Sequence, residues 1–416
     1  MKIKALLSLA FFSLLFVSCD KNDDEYELVN VATPEYMDIE AFRSSVVIDP
    51  PTQIKESGKI YVYNDLVLVG DVGSGIHIID NSNPLSPEKV AFIKIKANKD
   101  MEVKGDYLYA DSLMDLVVFD LSDIQNIREA ARLESVFPEY IIIPFDQEVV
   151  FDYSNQNPDP DDIIVGWEIT EERRKREDMN SDPGTDLVAF ESTAANAASS
   201  SGQGGSLARF KIVNDYLYAV DSHNINIFNI SNLESPESTG NVFAGFDIET
   251  IFNRGDHLFL GSMRGMYIYD ITSPASPELV SEFQHGTACD PVVVDDNYAY
   301  ITLRGGNFCG ALDSSLQIIN ITDLQNPELT ISYPMDNPYG LGIKDNLLFI
   351  CDGTSGLKVY DKTNVEDLEL IDHFTDIDTY DVIPLEERLL MIGDNVLFQY
   401  EYSDEGIDLL SQFSLN

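Results

Sequence analysis

Short apolar segments, each closed by turn-forming residues, recur along most of the chain. One stretch, from Arg209 to Phe243, reads "RFKIVNDYLYAVDSHNINIFNISNLESPESTGNVF". Its apolar segments are rich in β-branched and aromatic residues, which favour strands, and the residues between them favour turns. No segment sustains the 3.6-residue period of an amphipathic helix, so the pattern predicts an all-β chain.

The same pattern is repeated along the chain, and similar stretches begin at Tyr61, Ile251 and Leu341. The third strand of each copy ends at an equivalent residue, and these residues are Asp80, Asp120, Asn229, Asp270, Asn320, Asp361 and Tyr400. The steps between them are 40, 109, 41, 50, 41 and 39 residues. The chain therefore has a repeat of about 40 residues with one large and one small insertion.

Each copy contains four short strands, and a tight two-residue turn joins the first strand to the second. The predicted turns are Asn64-Asp65, Gly105-Asp106, Asn214-Asp215, Gly255-Asp256, Asp296-Asn297 and Asp345-Asn346. Four antiparallel strands in a unit of about 40 residues are typical of a propeller blade. Seven copies predict a seven-bladed β-propeller over residues 59–416, with an insertion at about 133–207. An eroded eighth blade within that insertion is the alternative.

The strand endings "GIHIID", "DLVVFD", "GMYIYD", "SLQIIN" and "GLKVYD" resemble the LVIVD repeat, whose consensus strand ends in an aliphatic run and Asp. The resemblance covers residues 59–416 apart from the large insertion. It implies a β-propeller. It implies little about activity, because proteins with these repeats are mostly uncharacterised extracytoplasmic or surface lipoproteins.

The chain begins "MKIKALLSLAFFSLLFVSCD", in which two Lys precede an apolar run too short to span a bilayer. Ser18-Cys19 resembles the lipobox of bacterial lipoproteins, which implies a signal peptide at residues 1–18 and a lipid on Cys19. An ordinary secretory signal is the alternative. The acidic run with a Lys at 21–25 resembles the surface-export signal of Bacteroidota lipoproteins, and a plain solvated tether is the alternative. We expect residues 19–58 to be a tether and lead-in, and the protein to be anchored by lipid to the outer membrane, with exposure at the cell surface.

The chain of 416 residues has 72 acidic and 26 basic residues, a net charge of −46. This charge repels phosphate backbones, so it argues against nucleic-acid binding. A solvated, soluble surface is one interpretation of the acidity, and cation binding is the other.

Both insertions fall on one side of the predicted fold. In a four-stranded meander, the loop from strand two to strand three and the loop from strand four to the next unit share a side, which we call the upper face; the hairpin turns lie on the lower face. The large insertion belongs to the second kind of loop, and "LRGGNFCGALDSS" at 303–315 enlarges the first kind. Long loops on one side of a rigid scaffold are typical of recognition, and plain decoration is the alternative. The candidate upper-face binding residues are Trp167, Arg264, Arg304, Asn307 and Phe308.

The large insertion has three parts. Strand-like segments include "DDIIVGWEI", with Trp167 either packed or stacking on a ligand. The mixed-charge "TEERRKREDMN" predicts a solvated helical turn, with an anion site as the alternative. The low-complexity "STAANAASSSGQGGS" predicts a flexible linker.

Three cysteines remain after Cys19. Cys289 and Cys309 fall in neighbouring upper-face segments of one unit, and an exported protein meets an oxidising compartment, so we predict a Cys289–Cys309 disulfide. A nucleophilic Cys assisted by His285 is the less favoured alternative. Cys351 ends an apolar strand and is predicted to be a buried thiol.

The sequence offers no recognisable metal motif. Its five His are scattered without HExxH or paired-Cys spacing, so no metal ligands are assigned. Acidic residues recur after strand two, and they are Asp71, Asp111, Asp221 and Asp352. We expect them to cap turns; a Ca²⁺ role is the alternative.

These features favour a non-catalytic, extracytoplasmic binding or scaffolding lipoprotein without a cofactor, whose upper face contacts a protein or glycan. The alternative is a cation-assisted hydrolase or lyase that acts at the propeller mouth.

Overall fold

The computed structural model describes residues 26–137, 149–154, 156–175, 194–195, 203–285, 291–305, 313–403 and 406–416. The chain divides into two compact units. The smaller consists of residues 1–35, 144–156 and 167–187, and the larger of residues 36–143, 157–166 and 188–416. In the described residues, no helix is long and apolar enough to cross a bilayer.

The chain begins with elements that precede the first repeat. They are β1 (Tyr26–Asp38), the helix α1 (Ile39–Arg43) and β2 (Val47–Asp49). Sheet 1 follows with β3 (Ser57–Tyr63), β4 (Leu66–Asp71), β5 (Gly75–Asp80) and β6 (Glu88–Lys94). Sheet 2 contains β7 (Met101–Lys104), β8 (Tyr107–Ser112), β9 (Asp115–Asp120) and β10 (Arg128–Leu133).

The described part of the large insertion contains four strands before the repeat resumes. They are β11 (Val149–Phe151), β12 (Asp162–Lys175), β13 (Ala194–Ala195) and β14 (Gln203–Gly204). Sheet 3 contains β15 (Arg209–Val213), β16 (Tyr216–Val220), β17 (Asn224–Asn229) and β18 (Glu237–Phe243). Sheet 4 contains β19 (Ile248–Arg254), β20 (His257–Ser262), β21 (Gly265–Asp270) and β22 (Glu278–Gln284).

Three further sheets complete the chain. Sheet 5 contains β23 (Val292–Val294), β24 (Tyr298–Leu303), β25 (Ser315–Asn320) and β26 (Glu328–Pro334). Sheet 6 contains β27 (Leu341–Lys344), β28 (Leu347–Cys351), β29 (Leu357–Asp361) and β30 (Glu369–Phe374). Sheet 7 contains β31 (Asp381–Pro384), β32 (Arg388–Gly393), β33 (Val396–Ser403) and β34 (Gly406–Ser414).

The all-β prediction is confirmed, and each of the seven sheets has four strands in sequence order at its centre. Within each sheet the neighbouring strands are antiparallel, as in the pairing of Ile60 with Val69. Three short strands extend the sheets: β2 pairs antiparallel with β6, β14 antiparallel with β3, and β13 parallel with β15.

Local turn chemistry explains the repeat. The third strand ends at the predicted residue in six sheets, and in each the side chain accepts a hydrogen bond from the backbone N–H two residues later. These residues are Asp80, Asp120, Asn229, Asp270, Asn320 and Asp361. Because the short side chains of Asp and Asn suit this turn better than the weaker hydroxyl acceptors of Ser and Thr, the ending of the repeat is a turn signal. In the seventh sheet, β33 continues past Tyr400 to Ser403.

The hairpin turns follow the prediction with one difference. The first turn residue has positive φ in five of the six predicted turns: Asn64, Gly105, Asn214, Gly255 and Asp345. This backbone favours Gly, Asn and Asp. The Asp296-Asn297 turn differs, because Asp295 closes it by accepting hydrogen bonds from the backbone N–H groups of Asn297 and Tyr298 at 2.9 Å.

Apolar side chains fill the space between successive sheets of the larger unit. On one face of β4, Leu68 joins a buried cluster with Leu108 of sheet 2. On the other face, Val69 joins a cluster with Leu390 of sheet 7. The first strands contact one another in the order β3, β7, β15, β19, β23, β27 and β31, and β31 contacts β3 again. This is the strand arrangement of a β-propeller.

In the smaller unit, the residues that the structure describes form three strand segments in the order β11–β1–β12. The predicted helical turn at Arg173 and Arg174 is wrong, because both residues lie in β12. Arg174 forms ion pairs with Asp152 and Glu172, and Arg173 lies 5.3 Å from the ring centroid of Tyr26. The cross-strand partners favour an extended chain over the local charge pattern.

Candidate binding site

Seven equivalent residues surround one end of the first strands. Each lies five positions before its hairpin turn, at the upper-face start of the first strand. Because the first strands contact one another in cyclic order, these residues form a ring, which we call the mouth ring. Its members, from sheet 1 to sheet 7, are Lys59, Asp100, Arg209, Thr250, Pro291, Gly340 and Asp381.

A cavity of about 470 Å³ opens at the mouth ring, and we call it the mouth cavity. Its lining combines loops from strand two to strand three, such as 70–73, with loops from strand four to the next strand one, such as 97–100. These two kinds of loop therefore meet on one side, as predicted for the upper face. Charged and aromatic side chains in the lining include Lys59, Asp100, Arg209, Arg304, Tyr339 and Tyr380.

Asp100 connects sheets 2 and 3 at the mouth. Its Oδ2 accepts hydrogen bonds from the backbone N–H groups of Arg209 and Phe210, the latter at 2.8 Å. Its Oδ1 accepts from the Met101 N–H at 2.8 Å. Burial raises the pKa of the Asp100 carboxyl to about 6, although Lys59 opposes the shift. The carboxylate oxygens are thus engaged by the backbone.

Lys59 is the neighbouring cation. Its Nζ lies 4.0 Å from Asp100 Oδ2 and makes no hydrogen bond with the described residues. Burial lowers the pKa of the Lys59 ammonium to about 8, and the carboxylate of Asp100 partly opposes that shift. A second anion near Lys59 would raise this pKa, because it would stabilise the charged ammonium.

Two positions after the mouth-ring residues Asp100 and Arg209, the first strands carry a second pair of ionisable side chains. Glu102 and Lys211 are buried there, and Glu102 Oε2 accepts a hydrogen bond from the Ile212 N–H at 2.8 Å. Burial raises the pKa of Glu102 to about 8 and lowers that of Lys211 to about 7.

The end of the large insertion is built into the mouth. Gln203 and Gly204 pair with Val62 and Tyr61 of β3. Ser206 Oγ accepts a hydrogen bond from the Leu341 N–H at 2.8 Å. The expected flexible linker is therefore wrong for the part of "SGQGGS" from Gln203 onward; residues 196–202 lie outside the described residues.

Small residues in this segment have a packing reason. A Cβ added to Gly205 would lie 2.1 Å from both carboxylate oxygens of Asp381. Asp381 is fully buried, and burial raises the pKa of its carboxyl to about 7. The low-complexity composition thus includes a position where the mouth has room for glycine alone.

Arg304 is the predicted binding residue that lies in the mouth cavity. Its guanidinium carbon is 4.2 Å from the ring centroid of Tyr339. Tyr339 in turn lies 5.4 Å from the ring of Tyr380, and its carbonyl accepts a hydrogen bond from Thr302 Oγ1 at 2.7 Å. This cation–π stack holds the guanidinium at the cavity wall.

The other predicted binding residues are placed elsewhere or are not described. Arg264 lies outside the mouth lining, over the ring of Phe246 at 5.4 Å, with Nε 2.6 Å from Asp247 Oδ2. Trp167 packs edge-on against Phe151 and Tyr153 in the smaller unit. Residues outside the described part of the chain are Cys19, Cys289, Asn307, Phe308 and Cys309. Cys351 is a buried free thiol, as predicted.

The four Asp that follow strand two cap turns, as expected. Asp71, Asp111 and Asp352 each accept two backbone N–H bonds from the preceding upper-face loop. Asp221 accepts from the N–H groups of His223 and Asn224 in its own loop. Among the residues that the structure describes, no group of three or more His, Cys, Asp or Glu could hold a metal ion.

The sequence analysis predicted none of the seven residues of the mouth ring. Lys59, Asp100 and Arg209 were not singled out, because each resembles an ordinary strand-edge residue when its copy is read alone. Their common distance from the hairpin turn is the signal that would have found them.

Comparison with known proteins supports the repeat and the fold. The profile of the LVIVD repeat matches residues 56–91 and 97–132, which lie in sheets 1 and 2. None of the curated proteins compared with the chain matches it.

Solved structures with a similar fold have sequences of low identity to this chain. A protein from Lactobacillus plantarum has a TM-score of 0.55 at 10% identity, covering 86% of this chain and 96% of that one. The designed protein Ika8 has a TM-score of 0.51 at 9% identity, covering 88% and 90%. A functionally unknown protein from Desulfotomaculum acetoxidans has a TM-score of 0.51 at 11% identity, covering 84% and 95%. These likenesses concern the fold alone.

Proposed function

We propose that the chain is a non-catalytic, extracytoplasmic binding or scaffolding lipoprotein with a seven-bladed β-propeller, whose upper face contacts a protein or glycan. The cyclic contacts of seven first strands support seven blades. The described part of the large insertion adds single strands to existing sheets or to the smaller unit, which argues against an eighth blade.

The observation that carries the binding role is the mouth cavity with Arg304 stacked on Tyr339. A volume of about 470 Å³ falls within the ~300–1,000 Å³ typical of ligand pockets. The cavity combines half-buried aromatic rings with cationic donors, a composition suited to binding and not specific to a reaction.

The binding role is tested with purified mature protein on a glycan array and in pull-downs from envelope extracts. Arg304→Ala should reduce capture of every bound partner, because it removes the stacked cation. Arg254→Ala is the matched control, since Arg254 is an exposed Arg of a lower-face turn, paired with Asp296. Equal capture by both variants would place binding away from the mouth.

The anchor is supported by the lipobox-like residues before Cys19. We expect metabolic labelling with a fatty-acid analogue to mark the wild-type protein and not Cys19→Ala, and protease added to intact cells to cleave the wild-type protein at the surface. Unlipidated protein released equally from both strains would contradict the anchor and leave the mouth site untouched.

A further inference from the structure

We propose that the mouth cavity binds the carboxylate of an acidic sugar residue. This inference rests on the proposed function, because it names the ligand class of the same cavity. It is carried by the distribution of charge, by the partners of each charged group and by the aromatic wall.

The charge of the cavity lining is opposite in sign to that of the chain. Among the described residues, the lining contains the basic side chains Lys59, Lys99, Arg209 and Arg304. Its acidic side chains are Asp71, Asp100 and Glu249. The whole chain has nearly three acids for each base, so the mouth cavity concentrates bases where the rest of the surface would repel an anion.

Two of the three lining acids are already engaged. Asp71 Oδ1 accepts backbone N–H bonds from Lys55 and Glu56 at 3.2 and 3.1 Å. Asp100 accepts three backbone N–H bonds, as described above. These bonds occupy acceptor positions of both carboxylates, and Asp100 Oδ2 in addition lies 4.0 Å from Lys59 Nζ.

Two lining cations have donors that the described protein does not use. The Arg304 guanidinium is stacked on Tyr339, and no described carboxylate lies within ion-pair distance of it. Stacking occupies the face of a guanidinium and leaves its in-plane N–H groups directed outward, the geometry that grips a carboxylate. The Lys59 side chain lines the same cavity, and its buried Nζ makes no hydrogen bond to the described residues.

The aromatic wall favours a sugar over a simple carboxylate. Tyr339 and Tyr380 form a tilted pair beside Arg304, and both rings line the cavity. A pyranose ring presents C–H groups that pack on such rings, while its hydroxyls remain available for polar contacts. The net charge of −46 opposes a long polyanion, so the ligand we infer carries one carboxylate at a terminal sugar.

The test uses the mature full-length chain and three probes in ligand-observed NMR titrations. Methyl β-D-glucuronide carries ring and carboxylate, methyl β-D-glucoside has the ring alone, and acetate has the carboxylate alone. We expect the glucuronide to bind about tenfold more tightly than either of the others, since a charge-assisted hydrogen bond of this kind gives about that factor. Added salt should weaken the glucuronide and leave the glucoside unchanged.

Substitutions in the mouth test where the ligand binds separately from which class of ligand is bound. Arg304→Ala and Lys59→Met should each lower glucuronide affinity about tenfold, Arg304→Lys should lower it less, and Arg254→Ala should leave it unchanged. Thermal unfolding checks that each variant is folded. If the glucoside binds as tightly as the glucuronide but Tyr339→Ala abolishes both, the ligand class is wrong and the binding role of the mouth stands. If the glucuronide binds all mouth variants as tightly as wild type, both the inferred ligand class and the inferred site are wrong. If acetate binds as tightly as the glucuronide, the sugar ring is not part of what the cavity recognises.

Discussion

The two arcs of the mouth ring share a backbone and differ in chemistry. Sheets 7, 1, 2 and 3 contribute the charged arc, which consists of Asp381, Lys59, Asp100 and Arg209. Sheets 4, 5 and 6 contribute the uncharged arc, which consists of Thr250, Pro291 and Gly340. The two buried charges of the next layer, Glu102 and Lys211, also lie on the charged side.

This difference shows that some positions of the repeat form the sheet and others are free to carry different side chains. Turn residues recur in most of the sheets, and apolar residues pack between them, because both are needed to build a sheet. The mouth-ring position is free of that demand, so its side chain can vary from Lys to Gly while the pairs that follow it, Ile60 with Val69 and Leu341 with Ile350, keep the same distance from the hairpin turn. The charged arc also receives the end of the large insertion, through β14 on β3 and Gly205 on Asp381.

The largest expected effect comes from removing Asp100. Asp100→Ala leaves the buried N–H groups of Met101 and Phe210 without their acceptor, and we expect the free energy of unfolding to fall by about 3 kcal/mol. Urea unfolding measures the loss. Pro291→Ala, at the equivalent position of the uncharged arc, should cost less than about 1 kcal/mol. If both variants lose the same free energy of unfolding, the two arcs do not differ in their contribution to stability.

Asp381 should make stability depend on pH. Burial raises its pKa to about 7 in the folded chain, above the unfolded value near 4, so the native state binds more protons between those values. This contribution to stability is complete below pH ~4 and is lost as the pH rises through ~7. Asp381→Asn should therefore be stabilising relative to wild type at pH 8 by on the order of 2 kcal/mol and not at pH 4.

The control for this pH dependence is the same measurement in the uncharged arc. Thr250→Val removes a polar group that does not titrate, so its difference from wild type should be constant between pH 4 and 8. A pH-independent difference for Asp381→Asn would show that its carboxyl ionises normally.

Much of the fold was predictable and little of the mouth was, for one physical reason. Asp80 and its equivalents recur because each closes a local turn, so periodicity reveals them. The chemistry of the mouth depends on Lys59, Asp100 and Asp381, which occupy the same position in different copies of the repeat. A search for similarity between the copies discards the positions at which they differ. Arg304 follows strand two, where several other copies have Asp, and this departure is visible in the sequence. Arg264 departs from the Asp in the same way, but it lies outside the mouth lining.

The insertion shows a second limit of the sequence. Glycine and serine predict a flexible linker from composition, but Gly205 is small because Asp381 occupies the space where a Cβ would be. A segment that must fit a narrow site and a segment that must remain flexible have the same composition. The β12 strand at Arg173 and Arg174 is a further case, because the charge pattern predicted a helical turn there, whereas the packing of Trp167 was one of the two interpretations that the sequence offered.

Gly205→Ala should loosen the backbone next to the charged arc, an effect of intermediate size. Its Cβ would meet Asp381 oxygens at 2.1 Å, so we expect β14 to separate from β3 and the backbone amides of 203–206 to exchange hydrogen at least tenfold faster. Gly70→Ala is the control, because its nearest neighbouring atom would be 3.6 Å away. Adding Asp381→Ala to Gly205→Ala should restore slow exchange; if it does not, the contact with Asp381 is not what fixes the segment.

The smallest expected effect separates the two upper-face arginines. The Arg264 side chain is 61% exposed, and its ion pair with Asp247 is partly solvated, so Arg264→Ala should change the free energy of unfolding by less than about 1 kcal/mol. It should also leave glucuronide affinity within twofold of wild type, because Arg264 lies outside the mouth lining. Arg304→Ala in the same titration is the positive reference. A loss of affinity in Arg264→Ala as large as that in Arg304→Ala would extend the binding surface beyond the mouth ring, and the contrast between its two arcs would no longer explain where the ligand binds.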